Sequence, residues 1–277
     1  MPSVVAQVEQ RLAELRVHHA EGTRTSVMTH VAWAPPQWAA AARRTLAGLE
    51  ELHPSRTILL FPNARKGDSI GVDVELKCFT IPGSKREVCS EVIELRLGGS
   101  RSRVPGSIVA PLLITDLPTF CRWRGRPPWG APELEQLVDV CDRLVVDSSE
   151  WRGLPGAYTQ LAGLFDRIAV SDIAWGRSVG WRGRLAALWP DVKGIATLGV
   201  TGPKADALLL AGWLRSRLGR TVRLLHRSAA ALERVAVDGE PVAPPRGTAP
   251  TPSDLLSAEL DVFGRDPVYE AAVNAAR

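Results

Sequence analysis

The chain has 277 residues, 34 of them basic and 30 acidic, with a formal net charge of +4 and 45% hydrophobic content. That length holds one large α/β domain or two smaller ones, and that apolar content supplies an ordinary core. The small, dispersed charge excess lacks the dense basic stripe of a nucleic-acid binder, and no apolar run reaches the length that crosses a bilayer.

The opening residues, MPSVVAQVEQRLAELR, carry acidic side chains and no apolar h-region, so they do not read as a secretory signal, and the expected location is the cytoplasm. Val4, Val8, Leu12 and Leu15 recur at helical spacing, which predicts an amphipathic helix over 4–16. Residues 24–34 are rich in β-branched side chains and predict a strand. Pro35 and Pro36 close it and open a helix over 37–53, which Pro54 stops, and 55–62 follows as a buried strand. Residues 71–80 and 85–99 alternate apolar with polar and predict an antiparallel hairpin across IPGS. If Gly83 and Ser84 form its two-residue loop, Cys78 falls directly opposite Cys89. The four cysteines, Cys78, Cys89, Cys121 and Cys141, show no C-x-x-C spacing and are expected to be reduced, mostly buried thiols.

A helix-like apolar stretch at 104–114 leads into PTFCRWRGRPPW at 118–129, then a helix over 131–141 and a strand over 142–149. Helices are expected over 154–169 and 171–189, the second capped by Ser171 with Asp172 in its first turn and weakened by Gly176, Gly180 and Gly183. A strand over 193–202 feeds a helix over 203–219 with proline at its start and glycine at its end. Strands over 221–228 and 232–243, a Pro/Gly-rich connector over 244–254 and short helices over 254–262 and 267–276 complete the chain. The pattern predicts an α/β protein: a mixed, mostly parallel sheet flanked by helices, with an N-terminal α+β portion containing the antiparallel hairpin. The expected division is 1–103 and 104–277, with a second candidate break near 190.

The histidines, His18, His19, His30, His53 and His226, fall in no metal-binding frame, so no dedicated metal site is expected. GVTGPKAD (199–206) runs from a strand into a helix N-terminus, where Gly202 and Lys204 are candidates to hold an anion; the plainer reading is a tight turn. DSSEW (147–151) lies at the carboxyl end of a predicted parallel strand. There Asp147, Ser148 and Ser149 are candidates for a ligand loop or for a helix cap. No G-x-S-x-G elbow is present, so catalysis by these serines ranks below both. Within 118–129, Cys121 and Trp123 alternate with Phe120, Arg122 and Arg124; Gly125 and the Pro127–Pro128 pair end the strand, and Trp129 lies beyond the break. Arginine beside tryptophan permits cation–π stacking and matches the composition of protein-interface hot spots; a core tryptophan with solvated arginines is the alternative.

The segments HPSRTILLFP, VCSEVIELRLGG, PGSIVAPLLITDLPTFCRWRGRPPW, CDRLVVDSSEW and DIAWGRSVGWRGRLAALW occur in this order, followed by the tail LLSAELDVFGRDPVYEAAV. Together, from about residue 24 onward, the chain resembles the OpcA family of glucose-6-phosphate dehydrogenase assembly proteins. The resemblance implies a non-catalytic, cytoplasmic bacterial partner with no cofactor. Such a protein binds glucose-6-phosphate dehydrogenase and favours its active oligomeric state in the oxidative pentose phosphate pathway. It involves no nucleic acid and no membrane. On Trp/Arg content and family pattern, the expected contact residues are Arg122, Trp123, Arg124, Arg126 and Trp129, with Trp175, Arg177 and Trp181 as a second patch. The competing expectation is a sugar-phosphate-binding enzyme or sensor that uses the 147–151 and 199–206 loops.

Overall fold

The run ILLF (58–61) has no polar face to offer water, and it becomes part of an inner strand of a parallel sheet covered on both sides. The computed structural model describes residues 3–18, 23–24, 26–49, 53–80 and 87–277. The chain forms two compact units, Met1–Val145 and Val146–Arg277. The 103/104 division expected from the sequence falls inside the first of them.

The N-terminal unit contains α1 (Val4–His18), β1 (Thr23–Arg24), β2 (Thr29–Trp33), α2 (Ala39–Ala47), β3 (Arg56–Asn63), β4 (Ser69–Thr80), β5 (Glu87–Gly98), α3 (Pro105–Val109), β6 (Thr119–Trp123), α4 (Pro132–Val140) and β7 (Arg143–Val146). Its strands lie in the order β5-β3-β2-β6-β7, all parallel, with β4 antiparallel on the outside of β5 and β1 parallel to the start of β5. Residues in register share a layer: Ile93, Ile58, Val31, Cys121 and Leu144 form one row across five strands, and all are buried. The chain enters the parallel set at β2, runs to one side through β3 and to the other through β6. The direction of winding therefore reverses between β2 and β6.

The β4–β5 hairpin forms as predicted, and Cys78 stands opposite Cys89. The two are joined in a disulfide, which corrects the expectation of reduced thiols for this pair; Cys121 and Cys141 are free. The expected turn at Gly83–Ser84 lies outside the described residues. The helix predicted over 37–53 is shorter, with a 3-10 turn at Pro36–Trp38 before α2 ends at Ala47.

The C-terminal unit contains α5 (Gly156–Ala162), β8 (Ala169–Asp172), α6 (Ile173–Arg177), α7 (Val179–Ala186), β9 (Thr197–Gly202), α8 (Lys204–Leu218), β10 (Arg223–Ser228), β11 (Arg234–Val237), β12 (Glu240–Pro241), α9 (Pro252–Leu260) and α10 (Pro267–Ala276). A small sheet runs β10-β9-β11-β12, with β9 and β10 parallel and β11 antiparallel to both its neighbours. The strand predicted over 232–243 folds back on itself, because Asp238 and Gly239 both take positive φ and make the turn between β11 and β12. The Asp238 carboxylate accepts from the Ala196 and Thr197 N–H groups and ties that turn to the start of β9. Two helices predicted over 154–169 and 171–189 are corrected in part. Residues 169–172 form β8, Ser171 lies within that strand, and Asp172 is the residue that caps α6. Among the described residues no helix is long and apolar enough to cross a membrane.

Candidate functional site

In doubly wound sheets, ligands enter the crevice at the carboxyl ends of the strands where the winding reverses. Here that place lies between β2 and β6, and the 118–129 segment fills it. Trp33 and Trp123 are in register on these strands, and their rings stack with centroids 4.9 Å apart. The Arg124 N–H donates to the Trp33 carbonyl at 2.9 Å and extends the ladder by one residue. Gly125 follows at φ +77, and a Cβ there would stand 3.1 Å from Trp38 Nε1, so the turn admits glycine for both conformation and space. The Arg124 guanidinium lies over the Trp38 ring at 4.7 Å. The Trp129 N–H donates to the Pro127 carbonyl and the Ala131 N–H to the Pro128 carbonyl, which fixes the turn that enters α4.

This geometry divides the first group of expected contact residues. Trp123 is 2% exposed and Arg122 is 3% exposed. They are core residues, which corrects their placement on a docking surface. Arg122 is buried because its guanidinium donates to the carbonyls of Trp123 and Val145 at the sheet's carboxyl edge, where strand carbonyls need donors. Arg126 is exposed, and Arg124 and Trp129 are half-buried at the rim.

The second group is corrected more fully. Trp175 and Trp181 are each 6% exposed. Trp175 donates from Nε1 to Asp266 at 3.0 Å, and Arg182 covers its ring at 3.3 Å from the centroid. Burial lowers Arg182 to about 10. Trp181 joins the core built by Leu185, Leu198, Val200, Leu210 and Val235. Arg177 turns inward: it pairs with Asp206 at 2.9 Å and with Asp147 at 3.2 Å.

That arginine connects the two loops expected to hold an anion. Asp147 caps the turn that follows β7, accepting from the N–H and Oγ of Ser149, and its carboxylate also faces Arg177. Ser148 is buried; its N–H donates to Asp172 at 3.0 Å and its hydroxyl meets the Tyr158 hydroxyl at 3.0 Å. Tyr269 donates to the other Asp172 oxygen at 3.3 Å. Burial, then the nearby Asp147 carboxylate, raises Asp172 to about 7, against donors that favour its charged form. Lys204 donates to the Leu154 carbonyl at 2.8 Å. Gly202 is explained by the close approach of Leu232, whose Cα would stand 3.0 Å from a Cβ at that position. The first turn of α8 already carries the Asp206 carboxylate, and the 147–151 loop spends its polar groups internally. An incoming phosphate would face Asp206 and would have to displace these partners. Among the described residues, no group of three His, Cys, Asp or Glu stands close enough to hold a metal ion.

Two family models match the chain in succession. The first describes the N-terminal domain of a glucose-6-phosphate dehydrogenase subunit and matches residues 47–163; the second describes the C-terminal domain of the same protein and matches residues 168–249. The chain is 27% identical over 179 residues to the OxPP cycle protein OpcA of Synechococcus elongatus, covering 60% of this chain and 40% of that one. It is 28% identical over 177 residues to the OpcA protein of Nostoc punctiforme, covering 60% and 38%. The matched region thus spans well under half the length of these relatives.

Proposed function

The chain belongs to the OpcA family of glucose-6-phosphate dehydrogenase assembly proteins, and from that premise we propose that it is a non-catalytic partner that binds the dehydrogenase and favours its active oligomeric state. The observation that carries this reading is the ordered match of both domain models, one after the other, along the chain. A partner shifts an equilibrium only by its differential affinity for the two states, so it must hold the active dehydrogenase more tightly than the inactive one. A tenfold preference is worth about 1.4 kcal/mol of that shift.

The rim of the tryptophan plug is the proposed contact surface. Arg126 is exposed, and Arg124 and Trp129 stand half-buried on a turn whose backbone is fixed by hydrogen bonds. A rigid aromatic flanked by arginines loses little conformational freedom on docking, which is the usual composition of an energetic centre in an interface. The test adds the purified chain to its cognate dehydrogenase and follows activity together with oligomer mass by light scattering. The expected result is higher activity with a shift in mass, and a weakening of binding by at least about tenfold in Arg126→Glu or Trp129→Ala. No interaction between the two proteins would sink the proposal.

A further inference from the structure

At the carboxyl ends of β3 and β5, beside the plugged switch point, a crevice of about 440 Å³ remains open. That volume lies in the range of small-molecule sites, and the carboxyl edge of a parallel sheet is where such sites form. Three cations line it, Arg43, Lys66 and Arg96, and no carboxylate is among the described residues of its lining. Their states differ. Arg43 is bound bidentately by Glu94 at 2.6 and 2.7 Å and lies over the Phe61 ring at 4.5 Å, so its charge is met and it serves as a wall. Among the described residues the side chains of Lys66 and Arg96 have no ion-pair or hydrogen-bond partner, although both border the cavity.

The positions of these two cations are built into the backbone. Lys66 lies on a turn in which its own N–H donates to the Asn63 carbonyl at 3.1 Å and the Arg65 N–H donates to Asn63 Oδ1 at 3.2 Å. The Asp68 carboxylate then accepts from the Ser100 N–H at 2.7 Å and its hydroxyl at 2.8 Å, clamping the far end of that turn to the residues after β5. Those donors, chiefly the Ser100 N–H, hold Asp68 below the usual carboxylate range, so the clamp persists through mildly acid conditions. Arg96 lies against Gly71 on the neighbouring strand, where a Cβ would stand 3.0 Å from its Nε. The glycine leaves room for the guanidinium to rest on the β4–β5 ladder at the mouth of the crevice.

A preformed, half-apolar cleft with a planar fork and a flexible ammonium left unpaired among the described residues matches a doubly charged tetrahedral anion attached to a small body. We propose that this crevice binds a small phosphorylated metabolite, with its phosphate held by Lys66 and Arg96 and its body against the Phe61 wall. The site is separate from the 147–151 and 199–206 loops, whose polar groups are already engaged with one another. The proposal does not rest on docking to the dehydrogenase. Its test uses the chain alone, so either idea can fail without the other.

Two sources of phosphate ester fit this chemistry, a sugar phosphate and a nucleotide, and calorimetric titration of the full chain separates them. The probes are glucose 6-phosphate, AMP and inorganic phosphate, with glucose and adenosine as controls. The expected result is binding of one phosphate ester at millimolar concentration or below, no binding of its unphosphorylated control, and weaker binding of inorganic phosphate. Lys66→Gln and Arg96→Gln are each expected to weaken binding about tenfold. Both side chains are exposed, so the unfolding midpoint is expected to stay in place. Absence of binding by any probe, inorganic phosphate binding as tightly as the esters, or binding that survives the double variant would overturn the proposal.

Discussion

Asp172 shows how one side chain in this molecule resists its own chemistry. It is fully buried, and its carboxyl is raised to about 7. In the unfolded chain the same group ionises near 3.8. Between about pH 4 and pH 7 the folded state therefore holds a proton that the unfolded state has released. The stability this supplies is complete below the unfolded value and is lost as pH rises through the folded one. Asp172→Asn keeps an oxygen to accept from the Ser148 and Ala174 N–H groups and removes the titration. The variant is expected to be more stable than the parent by roughly 2–4 kcal/mol at pH 8 and nearly equal to it at pH 4, read by urea unfolding. A difference independent of pH would show that Asp172 is charged throughout. Asp172→Ala should instead lose the cap, at about 1 kcal/mol.

Elements with strong end signals were legible in the sequence. The last helix occupies 267–276 as predicted, because Asp266 accepts from the Val268 and Tyr269 N–H groups and Pro267 opens the first turn. β8 was not legible: AVSD is four residues long and half polar though buried, and periodicity cannot separate so short a run from the helices on either side. Gly212 was not legible either, since one glycine in an apolar helix carries no signal of its own. In the structure it is where α8 and α10 meet: a Cβ there would stand 2.9 Å from Ala276 Cβ and 3.0 Å from the Ala276 nitrogen, with the Ala272 carbonyl closer still. Gly212→Ala gains about 1 kcal/mol of helix propensity but drives a methyl into backbone, which does not yield as a side-chain tip does. The net expectation is a loss of about 1–3 kcal/mol with faster hydrogen exchange in α10. An increase in stability would mean that the two helices separate at little cost.

At the scale of the whole chain, the alternation of strands and helices was readable because its periodicities are local. The candidate sites were not. Trp123 and Arg122 have the composition of a surface, and only the switch point between β2 and β6 explains why both are buried. The open crevice draws Arg43, the 63–66 turn and Arg96 from separate parts of the chain, and no motif spans them. The same distance between local signal and assembled environment gives the two units opposite responses to acid. In the N-terminal unit, His30 is buried, and burial, followed by the charges of Arg122 and His53, lowers it to about 3. An unfolded histidine takes its proton near 6.5, so this contribution is full above that pH and is lost as pH falls toward 3. In the C-terminal unit, Asp172 acts in the reverse sense over nearly the same window, and burial raises Asp206 as well. The lowered carboxylates Glu91 and Asp238 titrate below their ordinary values of 4.5 and 3.8, so neither contributes between pH 5 and pH 8. On going from pH 8 to pH 5, the opening free energy of β2 and β6 should fall by about 2 kcal/mol while that of α8 and α10 rises by a similar amount. Hydrogen exchange corrected for the intrinsic rate at each pH reads the two regions separately. His30→Gln should abolish the change in the first region alone, and Asp172→Asn should flatten the second. A shift of the same sign in both regions would rule out this assignment, because no shared titration can reproduce opposite slopes.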